Sequence, residues 1–167
     1  MKNIIQQCYF PCSSWSFMTL DLKDHFLASP MPQPEFMKIP TKYIPPDMFS
    51  KYKLESKITN GFVYCKIKKG MYGSKQATLL AYNFLKQNLE PHGFFPIPHT
   101  TGLWKHKHRK IVFCLCVDDS EVKYYKKLDA QHLIETLQKF CKVSIDWIGS
   151  HYCGFTLTWN ESVGFVD

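Results

Sequence analysis

The sequence predicts an α+β domain, with a mostly antiparallel sheet and helices packed on one side. Two observations predict it. Short apolar or alternating runs recur along the chain with the period of a strand, while two stretches carry apolar stripes with the period of a helix. The elements also follow one another as strand, connection, strand, helix, strand hairpin, helix and strands, an order that favours antiparallel neighbours.

Residues 1–14 carry little pattern and support no assignment. Trp15–Leu22 alternates Trp15, Phe17, Thr19 and Asp21 with Ser16, Met18, Leu20 and Leu22, which suits a strand with Asp21 emerging near its end. Lys23–Leu27 turns away, and Pro30, Pro32 and Pro34 are expected to stop regular structure. Phe36–Ile39 is a short strand candidate between prolines. Tyr43–Thr59 is a polar connection with one helical turn around Asp47–Tyr52. Phe62–Lys68 alternates clearly, with Val63, Cys65 and Ile67 on one face and Lys66 and Lys68 on the other. Lys75–Glu90 places Ala77, Leu80, Ala81, Phe84, Leu85 and Leu89 on one helical stripe, and Gly93 can end it in the left-handed conformation.

Gly102–Lys105 leads into Ile111–Val117, an apolar run that stops at Asp118 and Asp119. Ser120–Tyr125 alternates again, so the two acids sit at the tip of a tight hairpin. Asp129 has the character of an N-cap, with Leu128 and Leu133 spaced as a hydrophobic staple. Leu133, Leu137, Phe140 and Cys141 form the buried stripe of that helix. Lys142–Asp146 returns as a strand, Tyr152–Trp159 reads as another, and Val163–Val166 can pair with it after the Asn160–Ser162 turn.

The chain has 167 residues, 45% of them hydrophobic and 16% aromatic, which excludes a disordered chain and allows one domain with a real core. Lys and Arg number 21 against 14 acids, and the resulting +7 suits a polyanionic partner such as nucleic acid. No apolar run approaches the ~20 residues of a membrane span, and no signal peptide is evident. The seven cysteines include no C-x-x-C pair, and several lie in apolar runs. They read as reduced, buried small hydrophobes of an intracellular protein, cytoplasmic or nuclear and not secreted. His106 and His108 lack further ligands at a known metal spacing and read as part of a solvated turn. Tyr124, Tyr125 and Trp159 read as sheet packing ahead of base stacking.

Asp118 and Asp119 alone are compatible with a simple polar turn. They gain a partner in Asp21, which also ends an apolar strand. If those strands are neighbours, the acids converge, and such a cluster can hold two magnesium ions about 4 Å apart for phosphoryl or nucleotidyl transfer. Asp24, in the bend that follows, is a weaker candidate.

Four blocks then match a family in its order. They are Leu20-Asp21-Leu22-Lys23-Asp24-His25-Phe26-Leu27, Lys68 to Ala77 (KKGMYGSKQA), Cys116-Val117-Asp118-Asp119, and Tyr152-Cys153-Gly154-Phe155-Thr156-Leu157. The chain resembles the palm of a reverse transcriptase of copia-type retrotransposons, over roughly Phe17 to Asn160. The resemblance implies a polymerase palm with a ferredoxin-like core, with fingers and thumb largely missing. Its implied division is an unassigned segment 1–15, a palm-like domain 16–160 and a truncated final strand 161–167.

The resemblance implies an RNA-directed DNA polymerase, with Asp21, Asp118 and Asp119 as catalytic, metal-binding residues for two Mg2+ ions, or Mn2+ in their place. Phe26 would exclude a ribose 2′-hydroxyl, and Gly73 and Gln76 would touch the incoming nucleotide and template. Cys116, Tyr152 and Gly154 would belong to the primer grip. Lys66, Lys68 and Lys123 are nucleic-acid contacts on charge alone. The implied partners are a primed RNA or DNA template, deoxynucleoside triphosphates and the rest of a Pol polyprotein, with no membrane. Cys116 departs from the family's usual Tyr, Ser74 from an apolar residue, and Thr78 from Pro or Gly. The alternative is a truncated, catalytically inactive retrotransposon remnant that at most binds nucleic acid.

Overall fold

A computed structural model describes residues 15–71, 73–74, 76–160 and 165–166. They form an α+β structure whose strand pairs are all antiparallel, divided into two compact units. One unit runs through His25 and resumes at Tyr82; the other is Phe26–Ala81.

The first unit is built on β1 (Ser16–Lys23), β5 (Phe94–Pro96), β6 (Leu103–His106), β7 (Ile111–Cys116), β8 (Asp119–Tyr124) and β9 (Lys142–Asp146). They make a six-stranded sheet in the order β5-β6-β7-β8-β1-β9. The alternation read from the sequence decides its two faces. Met18, Leu20 and Leu22 of β1 share a face with Val122 and Phe113, and these pack against Leu85 and Leu89 and against Leu133 and Leu137. The latter two pairs come from helices α3 (Ala77–Leu89) and α4 (Lys127–Gln138). Met18, Leu85, Leu89, Leu133 and Val122 are fully buried, which is where most of the unit's hydrophobic stabilisation lies. The opposite face carries Phe17, Thr19 and Asp21.

The second unit contains α1 (His25–Ala28, from its second residue), a three-stranded sheet and α2 (Pro46–Tyr52). The sheet pairs β2 (Pro30–Pro40) with β4 (Phe62–Lys69), and β4 with β3 (Ile58–Thr59). Phe26, Ala77 and Ala81 form its small buried cluster. Gly70 is needed there, because a Cβ would come within 2.7 Å of the Phe26 carbonyl oxygen.

Several sequence expectations are corrected. The prolines do not stop regular structure: β2 runs through Pro30, Pro32 and Pro34, with an irregularity between Pro30 and Glu35. It is an edge strand, so missing N–H donors on its outer side break no ladder. Asp129 is not the N-cap of α4. Lys126 holds that place with no side-chain cap, and Asp129 lies in the first turn, accepting from Arg109 Nη1 at 2.9 Å. Leu128 is exposed while Leu133 is buried, so no staple forms. Tyr152–Trp159 is not one strand. It is the hairpin β10 (His151–Tyr152) and β11 (Phe155–Thr156), followed by β12 (Trp159–Asn160). Cys153 and Gly154, both at positive φ, make its two-residue turn. Phe165–Val166 is β13 and pairs with β12 as expected; Val163 and Gly164 lie outside the described residues, as do residues 1–14. The five described cysteines, Cys65, Cys114, Cys116, Cys141 and Cys153, are free thiols. Among the described residues no helix is long and apolar enough to cross a membrane.

Candidate active site

The antiparallel register brings the acids of the two strands together. Asp21 on β1 lies opposite Asp119 on β8, and Asp119 lies opposite Cys116 on β7. On its other side Asp21 faces Ser144 of β9. One row of side chains therefore crosses four strands on the face away from the helices: Cys116, Asp119, Asp21 and Ser144. Asp118 occupies the β7–β8 turn with Val117, and its carbonyl accepts from the Leu22 N–H at 2.8 Å. That bond ties the hairpin tip to the end of β1. Val117 is a β-branched residue at φ 62°, a conformation such residues rarely adopt, so the turn is strained.

Electrostatics mark this end of the sheet. The Asp119 carboxyl is raised above its ordinary pKa by burial first, and then by the charges of Asp118 and Asp21. Hydrogen bonds from the Cys153 N–H and thiol work in the opposite direction. The Cys153 thiol is itself pushed up to about 12, chiefly by burial, and lies within hydrogen-bond reach of Cys116. His25 is buried, which lowers its pKa, against a raising contribution from Asp118. Asp21 and Asp119 form one wall of a cleft of about 560 Å³, with Asp146, Trp147, His151 and Gly154 on other sides.

The row one step further from the hairpin tip holds Cys114, Glu121, Thr19 and Asp146. Glu121 is only 3% exposed, and its Oε2 has no hydrogen-bond partner among the described residues. Burial pushes its pKa up to about 7. The sequence reading placed Glu121 in a strand but gave it no role. The available signal was its position two residues after Asp119, which puts both acids on one face. Tyr152 is buried beside it, hydrogen-bonded to the Cys114 thiol. Asp146 is held below the usual carboxylate range by hydrogen bonds from Ser150, Ile148 and Gly149, the Ser150 hydroxyl first. It therefore organises the turn into β10.

Cys116, Tyr152 and Gly154 thus belong to the same unit as the three aspartates, with Cys116 in register with Asp119 and Tyr152 and Gly154 lining the cleft. Lys123, on β8, stands opposite Phe17 and holds its Nζ over the Trp15 ring at 5.4 Å. Phe26, Gly73, Gln76, Lys66 and Lys68 fall in the second unit. There Phe26 is buried, Gly73 adopts φ 85°, and Gln76, Lys66 and Lys68 are exposed.

Among the described residues no three His, Cys, Asp or Glu side chains are grouped tightly enough to hold a metal ion by themselves. Magnesium seldom needs such a cage. It binds through one or two carboxylates and completes its shell with water and substrate phosphates. An all-oxygen donor set whose like charges raise the Asp119 pKa fits that mode. Neither the known protein families nor the curated proteins contain a match to this chain.

Proposed function

We propose that the chain is the palm of an RNA-directed DNA polymerase similar to copia-type reverse transcriptases, adding deoxynucleotides to a primer 3′-hydroxyl. The observation that carries this reading is the register of Asp21 against Asp119, with Asp118 in the adjoining turn. Three carboxylates at one end of a sheet repel one another, and a cation relieves that repulsion.

Two magnesium ions, when bound with a triphosphate, would supply Lewis-acid activation of the primer hydroxyl and charge neutralisation at the leaving pyrophosphate. The chain's own residues do the rest. Asp21 and Asp118 bind the metals and Asp119 assists. The Leu22–Asp118 backbone bond and the strained Val117 fix where Asp118 is presented. The Cys153 N–H orients Asp119 and favours its ionised form. Cys116, Tyr152 and Gly154 form the primer side. Phe26 selects deoxynucleotides, Gly73 and Gln76 contact nucleotide and template, and Lys66, Lys68 and Lys123 contact phosphates. The rest of a Pol polyprotein is a partner.

A second reading is a catalytically inactive remnant that at most binds nucleic acid. Primer extension on a primed RNA template with magnesium and deoxynucleotides separates the two. Extension by the parent, reduced at least about a hundredfold in Asp118→Asn, is the expected result. A folded parent that extends nothing would establish the remnant.

A further inference from the structure

The charge of this chain is concentrated in its second unit. Residues 26–81 hold nine lysines against three carboxylates, so +6 of the formal +7 resides there. The β2–β4 register sorts part of that charge onto one face. Phe36 lies opposite Lys66, and Lys38 lies opposite Tyr64. Since strand partners share a face, each of these aromatics meets a lysine across the pair, Phe36 against Lys66 and Tyr64 against Lys38. Lys38 Nζ sits over the Phe62 ring at 3.8 Å, which places Phe62 in the same surface.

The other face of the pair is spoken for. Val63 is buried there, and Glu35, the only carboxylate in either strand, accepts from the Ser74 hydroxyl at 3.0 Å. The Phe36–Lys66 face carries no acid. Phe36 is 70% exposed and Tyr64 55%, so these rings contribute little to the unit's own core. Paired exposed aromatics beside lysines that make no ion pair among the described residues form a surface that can stack bases and neutralise phosphates together.

We propose that this face of the β2–β4 pair binds single-stranded nucleic acid, with Phe36 and Tyr64 stacking on bases and Lys38 and Lys66 neutralising the backbone. A duplex keeps its base faces stacked internally and offers the rings nothing, so the single strand is the form recognised. At Lys66, a phosphate contact of the proposed polymerase, this binding rests on that reading and deepens it; Phe36, Lys38 and Tyr64 add residues that the reading does not use.

Fluorescence anisotropy with the full chain tests it, using labelled oligouridylate of about twelve nucleotides, an RNA duplex of equal length and polyglutamate as competitor. Circular dichroism checks that each variant is folded. Phe36→Ala with Tyr64→Ala should weaken single-strand binding about tenfold or more and leave duplex binding nearly unchanged. Lys38→Gln with Lys66→Gln should weaken both and lower the slope of log affinity against log salt for the single strand by about 1.4. Unchanged single-strand affinity in the aromatic variant would overturn the proposal. Equal affinity of the parent for strand and duplex, competition by polyglutamate as effective as by unlabelled oligonucleotide, or no binding at all would also overturn it.

Discussion

Replacing Glu121 by Gln should stabilise this protein at alkaline pH and leave it nearly unchanged at acid pH. Glu121 is 3% exposed, its Oε2 has no partner among the described residues, and burial pushes its pKa up to about 7 where an ordinary glutamate has 4.5. At about 1.36 kcal/mol per pH unit, that difference is worth roughly 3 kcal/mol. The sign follows from proton counting. Between pH 4.5 and 7 the folded state holds a proton on Glu121 that the unfolded state has released. Stability therefore falls as pH rises through that window and stays low above it. Glutamine has nearly the same shape and cannot ionise, so it escapes the loss. Urea unfolding of both proteins at pH 5 and pH 8 gives the answer. The Gln variant should gain up to about 3 kcal/mol on the parent at pH 8 relative to pH 5. Titrations shared by both proteins cancel in that comparison. A difference that stays constant between the two pH values would refute the claim that burial resists the ionisation of Glu121.

Gly149→Ala should destabilise by about 1–3 kcal/mol. Gly149 adopts φ 67°, and an added Cβ would lie 2.5 Å from Phe17 Cδ1; chemical unfolding and the fluorescence of Trp159, whose Nε1 donates to the Gly149 carbonyl at 2.9 Å, report it. His106 accepts the N–H groups of His108 and Arg109 on Nδ1, both at 3.0 Å, so protonating Nδ1 breaks a turn. Burial first, then the neighbouring His132, lowers its pKa below 6.5, so its contribution is present above that value and lost as pH falls through the folded value. His106→Asn should show a shallower loss of stability between pH 6.5 and 5 than the parent in thermal melts. Arg109→Met should cost about 1–2 kcal/mol in the same melts, because it leaves the buried Asp129 carboxylate without its guanidinium partner.

The hairpin carrying Asp118 was legible because an apolar run that stops at two acids has few other uses. The α+β class followed from clean strand and helix periods at β4, β7 and α3. The pairing of Asp21 with Asp119 was conditional in the sequence, since alternation places a residue on a face but does not choose neighbouring strands. Glu121 was missed for a related reason: its burial depends on Tyr152, which arrives from a hairpin thirty-odd residues later. That hairpin was itself hidden, because Cys153-Gly154 is a weaker turn signal than Asn-Gly. The cap assigned to Asp129 failed because a long-range partner, Arg109, decides what that carboxylate does. The prolines of β2 misled because their effect depends on whether a strand lies at an edge, which local sequence does not state.

The sheet order also sets a timetable. β1 sits between β8 and β9, so the strand bearing Asp21 finds both of its partners roughly a hundred residues later in the chain. At a synthesis rate of about 5–20 residues per second, β1 waits roughly 5–20 s for them on the ribosome. The residues of the second unit are all made during that interval, while the strand before them is still unpaired. Its apolar side, Met18, Leu20 and Leu22, lacks both neighbouring strands throughout that window. The acids meet only when β8 docks against β1, and β9, which covers the other edge of β1, is made still later, so the aspartates can reach their register before the sheet is complete.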